Sequence, residues 1–116
     1  MSRETRWPVY RLGRNLGTIE VVKANTANIY GWNLINDEGA DRFVALYDDA
    51  VIIDVLCVPG GVNADTDPIA GVNQVWPARE CAIYPIQGAF SVRVFDDADC
   101  ATPSGADDIL LTFFLS

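Results

Sequence analysis

The chain has 116 residues, half of them hydrophobic, with 8 basic and 16 acidic side chains giving a net charge of −8, and no histidine. That length suits one domain with a single core, and that apolar content excludes disorder for the chain as a whole. An acidic body repels nucleic acid, no apolar run approaches the ~18 residues of a membrane span, and the missing histidine removes the commonest general base and a favoured zinc ligand.

Residues 1–14 are expected to form an extended N-terminal arm ahead of a folded domain over residues 15–116. Trp7-Pro8-Val9-Tyr10 resists helix, because a residue before proline is pushed toward extended conformations. Charge divides along the chain. Residues 1–23 hold five basic residues (Arg3, Arg6, Arg11, Arg14, Lys23) against Glu4 and Glu20, whereas the rest sets three arginines against fourteen acids. Two readings of the arm follow. It leads into an edge strand, or it docks on a neighbour through Arg3, Arg6, Trp7, Tyr10 and Arg11, residue types enriched at interface hot spots. No apolar segment of the secretory kind follows the N-terminus, so the expectation is a protein made and kept in the cytoplasm before any assembly.

A short β-branched strand is expected at 18–22 (TIEVV), then a turn at 25–28. The firmest element is the hairpin over residues 28–48. Its second strand alternates Phe43, Ala45 and Tyr47 with Arg42, Val44, Leu46 and Asp48, and Asn36-Asp37-Glu38-Gly39 supplies turn chemistry between the strands. Both faces of this hairpin carry large apolar residues. That doubling fits a strand covered on both sides, and makes Trp32 and Tyr47 candidates for a self-association face.

Residues 51–58 read as a strand closed by Pro59-Gly60-Gly61, and residues 63–71 as a long polar loop. Two short strands are expected within 72–77 and 80–86. Phe90, Val92 and Val94 alternate with Ser91, Arg93 and Phe95, a second long loop covers 96–108, and a terminal strand runs over 109–115. About eight strands with no helical period imply an all-β, antiparallel β-sandwich, jelly-roll or immunoglobulin-like, behind the extended arm. Its expected core is Ile29, Leu34, Val44, Leu46, Ile53, Val55, Val92, Val94, Leu110 and Phe113.

Chemical equipment is sparse. Asp65-Thr66-Asp67 and Asp96-Asp97-Ala98-Asp99 are hard-oxygen clusters, but neither follows a calcium-loop spacing, and both are expected to be solvated loops. Cys57 and Cys81 are expected in the core. The acidic neighbours of Cys100 disfavour its thiolate. No catalytic residue, metal site or cofactor is expected.

The run Gly31-Trp32-Asn33-Leu34-Ile35-Asn36, followed by Ala40-Asp41-Arg42-Phe43-Val44-Ala45-Leu46-Tyr47-Asp48, resembles a recurrent small β-sandwich protein of tailed-bacteriophage virions. Val55-Leu56-Cys57-Val58-Pro59-Gly60-Gly61, Gly88-Ala89-Phe90-Ser91-Val92-Arg93-Val94 and Asp107-Asp108-Ile109-Leu110-Leu111-Thr112-Phe113 extend the resemblance in order and spacing. Trp76-Pro77 and Cys81-Ala82-Ile83-Tyr84 depart from it, standing where the group has phenylalanine and glycine. The resemblance implies a non-enzymatic virion part without specifying which part; taken with the sparse chemical equipment and the charge split between arm and body, the first expectation is a capsid decoration or cement protein on the major capsid protein lattice, self-associated as a homotrimer. A tail or fibre-attachment protein is the neighbouring alternative. A carbohydrate-binding or adhesion module is the alternative from another class, should Trp32, Tyr47, Trp76 or Tyr84 line an open face.

Overall fold

The computed structural model describes residues 9–13, 19–37, 39–63, 68–69, 71–76, 82–104 and 109–116. Its strands are β1 (Val9–Gly13), β2 (Glu20–Lys23), β3 (Ala27–Asn36), β4 (Arg42–Asp48), β5 (Val51–Val58), β6 (Val62–Asn63), β7 (Pro68–Ile69), β8 (Gly71–Val75), β9 (Tyr84–Ile86), β10 (Phe90–Phe95) and β11 (Ile109–Leu115). The first sheet runs β1-β11-β3-β8, with β9 also on β3, and the second runs β2-β10-β4-β5; β6 and β7 form a small separate ribbon. Every pairing between these strands is antiparallel.

β8 and β9 are two lengths of one edge. β8 pairs residues 32–36 of β3 and β9 pairs residues 27–29, while β11 holds the opposite side of β3. Each sheet therefore has four strand positions, and the all-β sandwich expected from the sequence is what the chain forms. With β8 and β9 counted as one, the order 1-11-3-8 over 2-10-4-5 is the interleaved double-sheet arrangement of a jelly roll.

The core lies between the sheets. Val44, Leu46, Leu56, Val58, Phe90, Val92 and Val94 come from the second sheet, and Ile29, Trp32, Leu34, Leu111, Phe113 and Leu115 from the first. Phe90 and Phe113 meet edge to face across the gap, ring centres 5.1 Å apart, a geometry their quadrupoles favour.

Two irregularities set which residues face inward. In β3, Ile29 pairs Leu115 while Gly31 pairs Phe114, so Tyr30 is an extra residue. This bulge shifts the alternation by one, and Ile29 shares the core face with Trp32, Leu34 and Asn36 rather than with Asn33 and Ile35. In β5, Leu46 pairs Asp54 and Tyr47 pairs Ile52, leaving Ile53 as the extra residue, packed against the core.

Three sequence expectations need correction. Leu110 is 38% exposed and Leu111 takes its place inside, because the unbroken run Ile109-Leu110-Leu111 carries no phase of its own. Val55 packs on the outside of the second sheet rather than between the sheets. Residues 9–13 are an edge strand, paired along their whole length with β11, so these five of the expected arm's fourteen residues belong to the sandwich.

Polar knots close the two ends. At one, the buried Asn36 amide donates to the carbonyls of Ala40 (2.9 Å), Val58 (3.2 Å) and Pro59 (3.3 Å), tying the β3–β4 turn to the end of β5. Asp41 accepts from the Gly60 N–H at 2.8 Å in the same knot. A Cβ on Gly71 would lie 1.7 Å from the Pro59 carbonyl oxygen, so only glycine lets β8 start there. At the other end, Asp48 accepts from the N–H groups of Gln87 and Gly88, and Asp49, in a left-handed conformation, accepts from Ala89.

Candidate interaction surface

Antiparallel alternation sends Val72 and Gln74 of β8, Asn33 and Ile35 of β3, and Leu110, Thr112 and Phe114 of β11 to the outside of the first sheet. Register sorts them into rows. Ile35 stands beside both Val72 and Leu110, and Asn33 beside both Gln74 and Thr112. Trp76 lies one residue beyond the Trp32–Val75 pair, hence alongside Gly31, whose other partner is Phe114. With no side chain at Gly31 in the way, the Trp76 and Phe114 rings meet at 5.8 Å and 38°. The face is thus apolar, polar, apolar from row to row. Its middle row is partly self-satisfied, Gln74 Nε2 donating to Asn33 Oδ1 at 2.8 Å. Trp76 is 66% exposed and Val72 47%. The middle row also takes in Arg11 of β1, which pairs Thr112, so it holds one basic residue.

The outside of the second sheet is built differently. Ala45, Tyr47 and Phe95 are buried there, with Phe43, Val55 and Cys100 against them. The segment after β10 folds back: Ser104 N–H donates to Val94 at 2.9 Å, Asp96 N–H to Thr102 at 2.8 Å, and Pro103 bridges to Phe95. Asp97 holds this turn by accepting from the N–H groups of Ala101 and Thr102, both at 3.0 Å. Arg93 lies over the Phe95 ring, 5.2 Å from its centre. Burial pushes the Tyr47 phenol up, with Arg93 opposing.

A third polar group links the sheets along the β5 and β8–β9 edges. Trp32 Nε1 donates to Asn73 Oδ1 at 3.0 Å, and Asn73 Nδ2 donates to the Cys57 carbonyl at 2.9 Å. Tyr84 stacks on Trp32 at 6.2 Å and donates its hydroxyl to the Asp54 carboxylate. That hydrogen bond, with burial behind it, pushes the Tyr84 phenol up to about 12. Such a phenol stays protonated at neutral pH and is badly matched to acid–base catalysis there. The arrangement works as a latch between sheets.

The expected partner-binding residues scatter. Arg3, Arg6 and Trp7 lie outside the described residues, while Tyr10 and Arg11 fall within edge strand β1. Trp32 is 5% exposed inside the sandwich and Tyr47 6% exposed under the second sheet's own cover. Both bury their area within the chain, so neither lies on an open face. Cys57 is exposed rather than in the core, having fallen on the outward side of an edge strand, and burial followed by Asp41 pushes its thiol up. Burial, then Asp97 and Asp99, does the same for Cys100. Cys81, Asp65 and Asp67 lie outside the described residues, and among the described residues no group of three or more acids, cysteines or histidines is placed to hold a metal ion.

Val72 and Phe114 were not singled out by sequence reasoning, and Leu110 was expected in the core. The available signal was the alternation over 109–115, whose outward positions are uncharged. Compared with protein-family models, with curated proteins and with solved structures, the chain matches none.

Proposed function

We propose that this chain is a non-enzymatic structural protein of a tailed-phage virion, a decoration or cement subunit that binds the major capsid protein lattice on the outside of the head and associates with its own copies as a trimer. The observation that carries this reading is where the resemblance falls in the fold. Its runs occupy β3, β4, the end of β5, β10 and β11, which are mutually paired or meet across the core. Its polar and glycine positions, Asn36, Asp41, Pro59 and Gly60, converge on one knot. A chance similarity of separate β-rich runs has no reason to share such a junction. The jelly roll is also an architecture that capsid proteins use, although fold alone fixes no function.

In this role the mechanism is mechanical. A subunit that binds the assembled lattice and not free capsid protein stabilises the lattice by mass action. Residues 1–8, carrying Arg3, Arg6 and Trp7, supply the basic contact to the lattice.

The test is co-sedimentation with heads of the phage that encodes the chain. The intact protein is expected to pellet with heads, and a form lacking residues 1–8 to stay in the supernatant. Removing residues 1–14 is a poor substitute, because it also strips β1 from β11. Failure of the intact chain to bind heads, or its recovery by mass spectrometry only in separated tails, would overturn the head assignment. The glycan-binding reading is the weaker one: of its four aromatic candidates, Trp32 and Tyr47 are buried and Tyr84 is latched to Asp54.

A further inference from the structure

We infer that Asp54, Tyr84, Trp32 and Asn73 form a guard on the free edge of β5, occupying backbone groups through which a strand of another chain would pair. The hazard is set by the sequence. A free edge presents unpaired N–H and C=O groups, and a long, apolar edge strand is a template for strand addition. β5 is eight residues long and stands at the end of its sheet, and its run Val51-Ile52-Ile53-Asp54-Val55-Leu56-Cys57-Val58 is apolar and β-branched with one charge. The other free edges are blunter. β2 has four residues and an irregular register against β10, β1 has five residues, and the β8–β9 edge is broken into lengths of five and three with Pro85 in the second.

The groups concerned lie on one side of β5. In a strand, the N–H and C=O of one residue point the same way, and residues two apart share that side. The Cys57 carbonyl is reached by Asn73 of the other sheet, so it points away from β4, and Val55 presents its N–H to the same side. Both are taken. Asp54 Oδ1 accepts from the Val55 N–H at 2.8 Å, and Asn73 Nδ2 donates to the Cys57 carbonyl at 2.9 Å. Ile53, the extra residue of the bulge, breaks the regular spacing of the same strand.

The side chains that do this are held from the first sheet. Asp54 Oδ2 accepts from the Tyr84 hydroxyl, Tyr84 stacks on Trp32, and Trp32 Nε1 donates to Asn73 Oδ1 at 3.0 Å. The network thus leaves β5 at the Val55 N–H and returns to it at the Cys57 carbonyl. A contact that only joined the sheets would have no need to end on the β5 backbone at both places. An incoming strand has to break these bonds before making its own.

The experiment follows aggregation of the full chain by light scattering and thioflavin fluorescence, alongside Tyr84→Phe, Asp54→Ala/Tyr84→Phe, and the latter with Val55→Pro added. Each form is held at a temperature that gives the same folded fraction. Tyr84→Phe removes the bond between the sheets but leaves Asp54 on the Val55 N–H, so it is expected to behave as the unaltered chain. Asp54→Ala/Tyr84→Phe frees that N–H without leaving a hydroxyl unpaired. It is expected to aggregate about five-fold faster or more, the effect of one backbone hydrogen bond on an association constant. Val55→Pro takes the N–H away altogether and is expected to return the rate to that of Tyr84→Phe. A double variant no faster than Tyr84→Phe, or a raised rate that Val55→Pro leaves raised, overturns the inference. Should these variants fail to fold, amide exchange of the unaltered chain decides. A Val55 N–H slowed about ten-fold or more relative to an unstructured amide supports the guard, and exchange at the unstructured rate overturns it.

Discussion

Both sheets have apolar residues on their outer faces, yet among the described residues only those of the second sheet are covered. On the second sheet the segment after Phe95 turns back, pins itself through Asp97 and Ser104, and places Cys100 against Phe95 and Tyr47. Arg93 adds a cation over the Phe95 ring. On the first sheet no described residue does the equivalent, and Val72, Trp76 and Leu110 stand in solvent. The lesson is that an apolar outward row does not by itself mark an interface. A row shielded by its own chain contributes to folding stability, and a row left open is available for association. Measurements that separate unfolding from dissociation therefore test the contrast directly.

The largest effect is expected at Phe95. Its ring is buried under the second sheet's cover, so Phe95→Ala should cost about 3–5 kcal/mol of unfolding free energy, as large-to-small changes at buried aromatics do. Denaturant titration measures it. A loss below about 1 kcal/mol, the usual surface range, would mean that face is not closed and the contrast fails. Asn36 comes next and serves as a reference belonging to neither outer face. Asn36→Ala leaves three carbonyls without their donor and opens a small void, for an expected loss of about 2–3 kcal/mol. Oligomer mass should be unchanged by either substitution while the protein remains folded.

Much of the sandwich was legible from alternation. β4 and β10 place Val44, Leu46, Phe90, Val92 and Val94 inside as period 2 requires, and the glycines and prolines mark the turns. The bulges were not legible. Nothing in Ile29-Tyr30-Gly31 announces that Tyr30 is skipped in the pairing, and that skip carries Trp32 into the core and off the list of exposed aromatics. Trp32 and Trp76 look equally able to present a surface in the sequence; the difference is a register shift set by β11. The closure over Tyr47 was hidden for a similar reason. It depends on a loop some fifty residues away folding back on β10, a long-range contact with no local signature. The broken β8–β9 edge could be seen only as two short strands, not as one interrupted position.

Tyr84 offers a smaller effect with a sign that can be checked. Its phenol titrates at about 12 in the folded chain against an ordinary value of 10.0, because the protonated hydroxyl donates to Asp54. A pKa raised on folding means the native state holds the proton more tightly than the unfolded state. The contribution is therefore complete below pH 10 and is lost as pH rises from 10 toward 12. Tyr84→Phe should remove that part of the alkaline decline and cost about 1 kcal/mol at neutral pH, the typical net value of one hydrogen bond. Spectrophotometric titration of the phenols, compared between the two forms, reports it. An unchanged titration above pH 10 would mean the latch between the sheets does not form.

The smallest effect on unfolding is expected at Trp76, and it is the most informative for the contrast between faces. At 66% exposure the ring has little burial to lose within one chain, and its described ring contact is with Phe114. Trp76→Ala should lower the unfolding free energy of the isolated chain by only about 0.5–1 kcal/mol, the scale of one aromatic pair. If the open face is where copies meet, the same substitution acts far more strongly on the association constant, since a tryptophan at an interface centre commonly accounts for more than 2 kcal/mol of binding. The ratio of these two losses is the quantity to measure. At Phe95 it should fall well below one and at Trp76 well above it. A Trp76→Ala protein whose unfolding is hit as hard as its association would place that ring among the fold's own supports, and the first sheet's outer face would then differ from the second's only in degree.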